Sequence, residues 1–290
     1  MSAPQTLQTR TARTTVQVAG GLFVFKLITF FLTGSSGVLG STLDSGLDML
    51  ASLVVLWAVS AAARPADADH PYGHGKAESV ASLLQSVLIL VSGLGLAYHT
   101  IRRAVLDEAR IEMPLVGIVV MVVSSFVTVW LIKRLRYVAR ETGSPALDAD
   151  SAHYSSDLWM NIGVVLGLSV HYLLDGAVWP DLVIGVGISL LILNTAREVF
   201  ASATDHLMDK GLEPSEESAI LKSVLQFSPK VKGFHDLRTR RSGVETFVDL
   251  HLEIQRDLSF LEAHDLAEEV SAVIQSNLPR CQVIVHADPI

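Results

Sequence analysis

Two helix-spaced pairs of side chains that can bind metal lie within predicted helical spans of this 290-residue sequence. Asp44 and Asp48 are four residues apart, and so are His153 and Asp157. Residues four apart share a face of an α-helix, so each pair predicts one polar face. A carboxylate within a membrane costs at least about 2.5 kcal/mol, so each face needs a cation or protons. If the faces meet, three oxygens and one nitrogen converge, which suits Zn²⁺ better than Mg²⁺ or Ca²⁺.

The same residues predict proton coupling. Metal binding requires ionised carboxylates and a neutral imidazole, so protons compete with metal. Histidine titrates near physiological pH, which makes His153 the natural switch. The structural alternative is that the aspartates cap helices and that His153 and Asp157 form an interfacial pair.

Two further groups could bind metal outside the apolar stretches. Asp67, His70 and His74 lie in a segment whose proline and glycines allow tight turns, which indicates a second metal at the cytoplasmic surface. The alternative is a flexible polar loop. The C-terminal part contains four further candidates and an aspartate, namely His235, His251, His264, His286 and Asp288. The last two share a face of a predicted strand, although scattered surface histidines remain the alternative.

Composition divides the chain into two parts. Half of the residues are hydrophobic, and the long apolar runs lie before residue 209. We therefore predict a transmembrane domain over residues 1–208 and a water-soluble domain over 209–290. The net charge of −8 argues against a nucleic-acid partner. Cys281 is the one cysteine, which excludes an internal disulfide and a multi-cysteine metal site.

The first part predicts an all-α membrane domain of six helices in contact with lipid. The expected spans are 15–33, 38–62, 80–104, 113–133, 145–173 and 179–201. The fifth begins with a polar stretch, so a loop followed by a short helix from Leu158 is the alternative. Lys26 lies inside the first span, where a structural partner is favoured over a transport role. Positive charges on the inner segments place both termini in the cytoplasm: Arg10, Arg13, Arg64, Lys76, Lys133, Arg134, Arg136 and Arg140.

The second part predicts an α+β domain with the order αββαβ. Helices are expected at 213–226, with Ser215 as its cap, and at 259–277. Strands are expected at 234–241, 244–254 and 282–287. This order predicts a small sheet that helices cover on one face.

Four motifs together resemble the cation diffusion facilitator family, most closely its bacterial ferrous-iron/zinc efflux branch. They are Asp44-x₃-Asp48, His153-x₃-Asp157, the loop His70-Pro-Tyr-Gly-His74-Gly-Lys76-Ala-Glu78 and the strand His235-Asp-Leu-Arg-Thr-Arg240. The likeness extends from about residue 10 to residue 290.

The resemblance implies a homodimer in the bacterial inner membrane that exchanges metal for protons by alternating access. It implies a metallochaperone-like (ferredoxin-like) cytoplasmic domain and no enzymatic activity. It assigns Asp44, Asp48, His153 and Asp157 to a transport site and Asp67, His70 and His74 to a loop site. A binuclear cytoplasmic site would use His235, His251, His286 and Asp288, with His264 near the dimer interface. A charge interlock at the membrane surface would join Lys76 to Asp209.

Histidine at position 153 favours Zn²⁺ as the transported ion, because a manganese-type branch is expected to carry aspartate there. Fe²⁺, Cd²⁺ and Co²⁺ remain alternatives, since the affinity orders of such sites overlap. Two other classes of protein stay open. A membrane metalloenzyme would need an activating base, and the sequence contains no His-Glu-x-x-His helix. A membrane metal sensor without transport is the other rival.

Overall fold

The computed structural model describes residues 3–34, 36–106, 115–173, 179–278 and 280–290. The described chain divides into two compact units, Met1–Thr204 and Asp205–Ile290. The predicted boundary between residues 208 and 209 stays a prediction.

The first unit is built from long helices. Among the described residues these are α1 (Ala3–Thr33), α2 (Ser36–Ala62), α3 (Lys76–Leu106), α4 (Leu115–Thr142), α5 (Pro145–Leu173) and α6 (Trp179–Leu207). Four described stretches are long and apolar enough to cross a membrane, namely Ala3–Thr33, Val38–Ala62, Lys76–Arg102 and Leu182–Leu207. The fold class predicted from the sequence, a helical transmembrane domain followed by an αββαβ domain, is confirmed.

Several helices are longer than the predicted spans, because hydropathy marks only the part of a helix that faces lipid. The first helix begins at Ala3 rather than near residue 15, and the fourth continues to Thr142. The largest difference concerns α5, which is continuous from Pro145. The alternative of a loop before Leu158 is therefore wrong.

The polar start of α5 is tolerated because it packs against other helices. Asp150, Ser151 and His153 are buried, and so is Tyr154. Leu147 of the same helix joins a core that α2 and α4 also supply. Polar residues at membrane depth are expected to face the interior of a helical bundle, as these do.

The second unit follows the predicted αββαβ order. It contains α7 (Pro214–Leu225), β1 (Val231–Ser242), β2 (Glu245–Ile254), α8 (Phe260–Asn277) and β3 (Cys281–Pro289). Glu213, not Ser215, caps α7, because Pro214 already occupies the first helical position. The strand order is β1-β2-β3, with β1 and β2 antiparallel and β2 and β3 parallel.

The alternation along β2 determines which residues reach the sheet's open face. Val248, Leu250 and Leu252 are buried in a core that α7 and α8 complete. His251 and Glu253 alternate with them and are only partly buried. This is the division of faces that the period of two predicts for a half-buried strand.

Candidate metal centres

The intramembrane site joins one residue of α2 to two residues of α5. His153 Nε2 lies 3.3 Å from Asp48 Oδ1 and 3.7 Å from Asp157 Oδ2. One ligand atom from each of these three residues lies within 4.8 Å of the others. Asp48 of α2 therefore faces the His153 and Asp157 pair of α5. Three donors of this kind could hold a transition-metal ion.

Asp44, the fourth predicted ligand, stands apart from that close group. Within the described residues, the group contains Asp48, His153 and Asp157 without Asp44. Asp44 lies one turn before Asp48 and lines the same cavity of about 630 Å³. It can contribute negative charge to the cavity at this separation, and its role as a direct ligand stays a prediction.

Two buried hydrogen bonds hold the helices that carry the site. Tyr154, next to His153, shares a hydrogen bond of 2.8 Å with Ser52 of α2. Gln85 of α3 donates from Nε2 to Asp150 Oδ1 at 3.1 Å. Each bond crosses between helices within one turn of a predicted ligand, so both fix the height of α5 against its neighbours.

The loop site forms a compact turn between α2 and α3. Asp67 Oδ1 accepts hydrogen bonds from the backbone of Asp69 and His70, at 3.1 and 2.8 Å. Asp67 Oδ2 lies 3.3 Å from His74 Nε2, and the rings of His70 and His74 are 4.5 Å apart. Gly73 makes the turn with φ of 81°, a conformation that glycine adopts without strain. All three predicted ligands therefore converge.

The charge of the loop site is set by its backbone. The hydrogen bond from the backbone amide of His70 is the main cause that lowers the pKa of Asp67 below its usual value. A hydrogen bond from the His70 side chain lowers this pKa further. The carboxylate therefore stays ionised under any physiological condition and remains available to a cation. His74 Nδ1 is buried with no hydrogen-bond partner among the described residues.

Sheet register creates the cytoplasmic site. His251 of β2 is paired with His235 on one side and with His286 on the other. The ring centroids are 5.1 and 4.8 Å apart, respectively. Asp288 joins the row, since its Oδ2 accepts a hydrogen bond of 2.9 Å from His251 Nδ1 and lies 3.3 Å from His235 Nε2.

Two acidic residues at this site were missed from the sequence. Glu253 Oε1 lies 3.2 Å from His235 Nδ1, and Asp236 forms a ligand group with His235 and His251. The alternation of β2 could have revealed Glu253, which shares a face with His251. Asp236 could not be found this way. The ladder is irregular between His235 and Arg238, and Asp236 has φ of 50° there, so it departs from simple alternation.

The remaining predicted residues lie elsewhere. His264 is on α8 and stacks on Phe260 with centroids 6.5 Å apart, outside the histidine row. Lys76 begins α3, and Asp209 follows α6 with φ of 57°. They belong to separate units, so the interlock between them stays a prediction.

Helical packing around an acidic, histidine-containing cavity and a separate αββαβ domain define a membrane transporter for cations. Residues 14–208 match the family description "cation efflux transmembrane domain", and residues 212–290 match "cation efflux protein, cytoplasmic domain". The chain therefore belongs to the cation efflux family, the cation diffusion facilitators. It is a multi-pass divalent-cation efflux transporter with a cytoplasmic C-terminal domain, and it is not an enzyme.

Relatives match over nearly the whole chain. The cation-efflux pump FieF of Cronobacter sakazakii is 39% identical over 283 residues, which cover 98% of this chain and 93% of that protein. FieF of Klebsiella pneumoniae is 38% identical over 285 residues, with the same two coverages. A solved structure from CzrB, 31% identical, covers 28% of this chain and 99% of its own, with a TM-score of 0.27.

Proposed function

We propose that this protein exports divalent transition-metal ions, above all Zn²⁺, from the cytoplasm in exchange for protons. The observation that supports this most directly is the convergence of Asp48, His153 and Asp157 on one cavity between helices. Two carboxylates and one imidazole form a mixed oxygen and nitrogen set. Zn²⁺ accepts such a set readily, whereas Mg²⁺ and Ca²⁺ prefer oxygen alone.

The same donors account for proton exchange. An imidazole must give up its proton before it binds metal, and the carboxylates must be ionised. Release of metal on the outer side then leaves an acidic cavity, and protons from that side are its natural replacement. Alternating access is the movement that exposes one such site to each side in turn.

The loop and cytoplasmic sites fit resident metal ions by their donor sets. Each brings at least two imidazoles and one carboxylate together. We assign Asp67, His70 and His74 to the first, and His235, His251, His286 and Asp288 to the second. Zn²⁺ bound there would draw neighbouring strands or turns together and stabilise them, and we propose that the cytoplasmic site senses cytoplasmic metal.

Assembly and location complete the proposal. We propose a homodimer in the bacterial inner membrane with both termini in the cytoplasm, with His264 near the interface and Lys76 paired with Asp209. The positive charges on the inner segments support this orientation. Exposed apolar residues on α8, Phe260 and Leu261, support a contact surface on the cytoplasmic domain.

Flux in sealed proteoliposomes tests the proposed function. Zn²⁺, Fe²⁺, Cd²⁺ and Co²⁺ are supplied outside vesicles with and without an acidic interior, and metal uptake is recorded with an internal fluorescent dye. We expect Zn²⁺ uptake that the proton gradient accelerates. His153→Ala should lower uptake and flatten its pH dependence, because the imidazole that exchanges a proton for metal is gone.

Absence of flux for all four metals would contradict transport. Flux that ignores the proton gradient would contradict antiport alone, and faster Fe²⁺, Cd²⁺ or Co²⁺ uptake would replace Zn²⁺ as the preferred cargo.

A further inference from the structure

A buried lysine faces the cavity of the intramembrane site. Lys26 of α1 is 9% exposed. Its Nζ donates a hydrogen bond of 2.7 Å to Ser45 Oγ and one of 3.3 Å to the carbonyl oxygen of Ser41. Both acceptors are neutral oxygens of α2, so they fix the position of the ammonium group without cancelling its charge.

The ammonium group of Lys26 shares its cavity with carboxylates. Ser45, its nearest partner, follows Asp44 directly and precedes Asp48 by three residues. Lys26 lines the same cavity as Asp44, Asp48 and Asp157. Charges interact far more strongly in such a low-dielectric setting than in water, so this cation must affect whatever the carboxylates bind.

The balance of charges suggests what the lysine does. With Asp44, Asp48 and Asp157 ionised and Lys26 protonated, the residues that line the cavity carry two net negative charges when His153 is neutral. One divalent cation, or two protons, makes the cavity neutral. Without the lysine, the metal-loaded cavity would keep one negative charge, which is costly at membrane depth. Asp150 is buried outside the cavity lining, and its contribution is the same with or without the lysine.

Resting on the transport function proposed above, we infer that Lys26 is a fixed internal countercharge of the transport site. It makes the cavity neutral when one divalent ion is bound, so that the loaded protein can change its exposure to the two sides. It also competes with the ion for the carboxylates, which weakens binding and permits release. Lys26 acts through the carboxylates and is a positioning residue, not a metal ligand.

The test separates binding from turnover in Zn²⁺ uptake by proteoliposomes. Lys26→Gln removes the charge, and Lys26→Arg keeps it. We expect K26Q to lower KM for Zn²⁺ several-fold and to lower kcat on the order of tenfold, because a negative loaded site binds metal tightly and moves poorly. K26R should restore both parameters towards the wild-type values. Lys222→Gln, at an exposed lysine of α7, is the matched control and should change neither.

A merely structural lysine gives a different pattern. K26Q and K26R would then show the same loss of kcat with KM unchanged, and that result overturns the inference. Wild-type values of kcat and KM for K26Q overturn it as well. Asp44→Asn supplies a second arm, since it restores neutrality in the K26Q background. Asp44→Asn should therefore lower kcat less in the K26Q background than in the wild type. Equal losses of kcat in both backgrounds overturn the inference.

If K26Q yields no folded protein, the thermal stability of the double variant, K26Q combined with Asp44→Asn, tests the inference instead. Recovery of a folded protein supports the countercharge, and equal loss of folding overturns it. Absence of uptake by the wild type would instead contradict the proposed function, which keeps the two failures apart.

Discussion

At the intramembrane site, one nitrogen atom and one oxygen atom are buried with no hydrogen-bond partner among the described residues. They are His153 Nδ1 and Asp157 Oδ2. A buried polar group without a partner costs free energy that folding must offset, and a bound ligand is one way to satisfy it. Asp157 Oδ2 belongs to the close group with Asp48 and His153, and a cation there would satisfy it.

The hydrogen bond between Tyr154 and Ser52 predicts a measurable loss. Tyr154→Phe removes the hydroxyl and leaves the buried Ser52 Oγ without this partner. We expect the free energy of unfolding to fall by about 1–2 kcal/mol. Thermal unfolding in detergent measures it. Tyr137→Phe, at an exposed tyrosine of α4, is the control, and equal stabilities of the two variants would contradict the role of the bond.

The carboxyl group of Asp288 determines one part of the pH dependence of stability at the cytoplasmic site. The hydrogen bond from His251, together with the nearby histidines, lowers the pKa of this carboxyl. A lowered pKa means that its stabilising contribution is present above the unfolded value of about 3.9 and is lost as pH falls through the lower folded value. Asp288 therefore stays ionised between about pH 8 and pH 5 and remains a possible metal donor throughout this range.

Asp288→Asn should therefore weaken Zn²⁺ binding at the cytoplasmic site by at least about tenfold at each pH between about 5 and 8. Calorimetric titration of the full chain at several pH values measures the affinity. Asp265→Asn, at an exposed aspartate of α8, controls for the loss of one charge. Equal Zn²⁺ affinities of D288N and D265N at every pH would contradict the role of Asp288 as a donor.

Helices α3 and α6 approach each other closely at one glycine. A β-carbon on Gly185 of α6 would lie 2.5 Å from Oγ1 and 2.6 Å from Cγ2 of Thr100 in α3. Small residues allow backbones to approach in this way within membranes. Because Thr100 is buried, it has little room to move aside. The contact between α3 and α6 therefore requires glycine at this position.

Gly185→Ala tests that contact. We expect the free energy of unfolding to fall by about 1–3 kcal/mol, because the added methyl group overpacks the interface. Gly187→Ala is the matched control, since a β-carbon there meets nothing within 4 Å. Thermal unfolding of both variants in detergent gives the comparison, and a G185A variant as stable as G187A would contradict the close approach.

Sequence periodicity predicted the elements better than it predicted their contacts. Pairs four residues apart placed Asp48, His153 and Asp157 on facing helix surfaces, and alternation predicted the exposed face that carries His251. A helix or strand with regularly spaced residues can be predicted from the local sequence alone. The irregular features depend on tertiary geometry. Asp44 departs from the close group although it shares the helix face of Asp48, and no local pattern could have indicated it.

At the level of the whole chain, a helical cation-efflux unit is followed by a cytoplasmic αββαβ unit. Regulation follows only if metal at the cytoplasmic site favours one transport conformation, since allostery requires an energetic coupling between two sites. The row of His235, His251 and His286 spans all three strands, so a metal there would stiffen the entire sheet.

Combined replacement of His251 and His286 by alanine tests this coupling. We expect the variant to keep Zn²⁺ uptake and to lose its activation by rising cytoplasmic-side Zn²⁺, by roughly fivefold or more at saturation. Initial uptake rates over a range of Zn²⁺ concentrations measure it. An activation curve identical to that of the wild type would contradict regulation by the cytoplasmic site.

We expect the transported ion to bind between the facing surfaces of α2 and α5. Zn²⁺ uptake by proteoliposomes containing Asp157→Asn tests it most directly, with Asp265→Asn as the charge-matched control. We expect D157N to lower the initial rate by at least about tenfold, while D265N transports like the wild type. Wild-type uptake by D157N would contradict it.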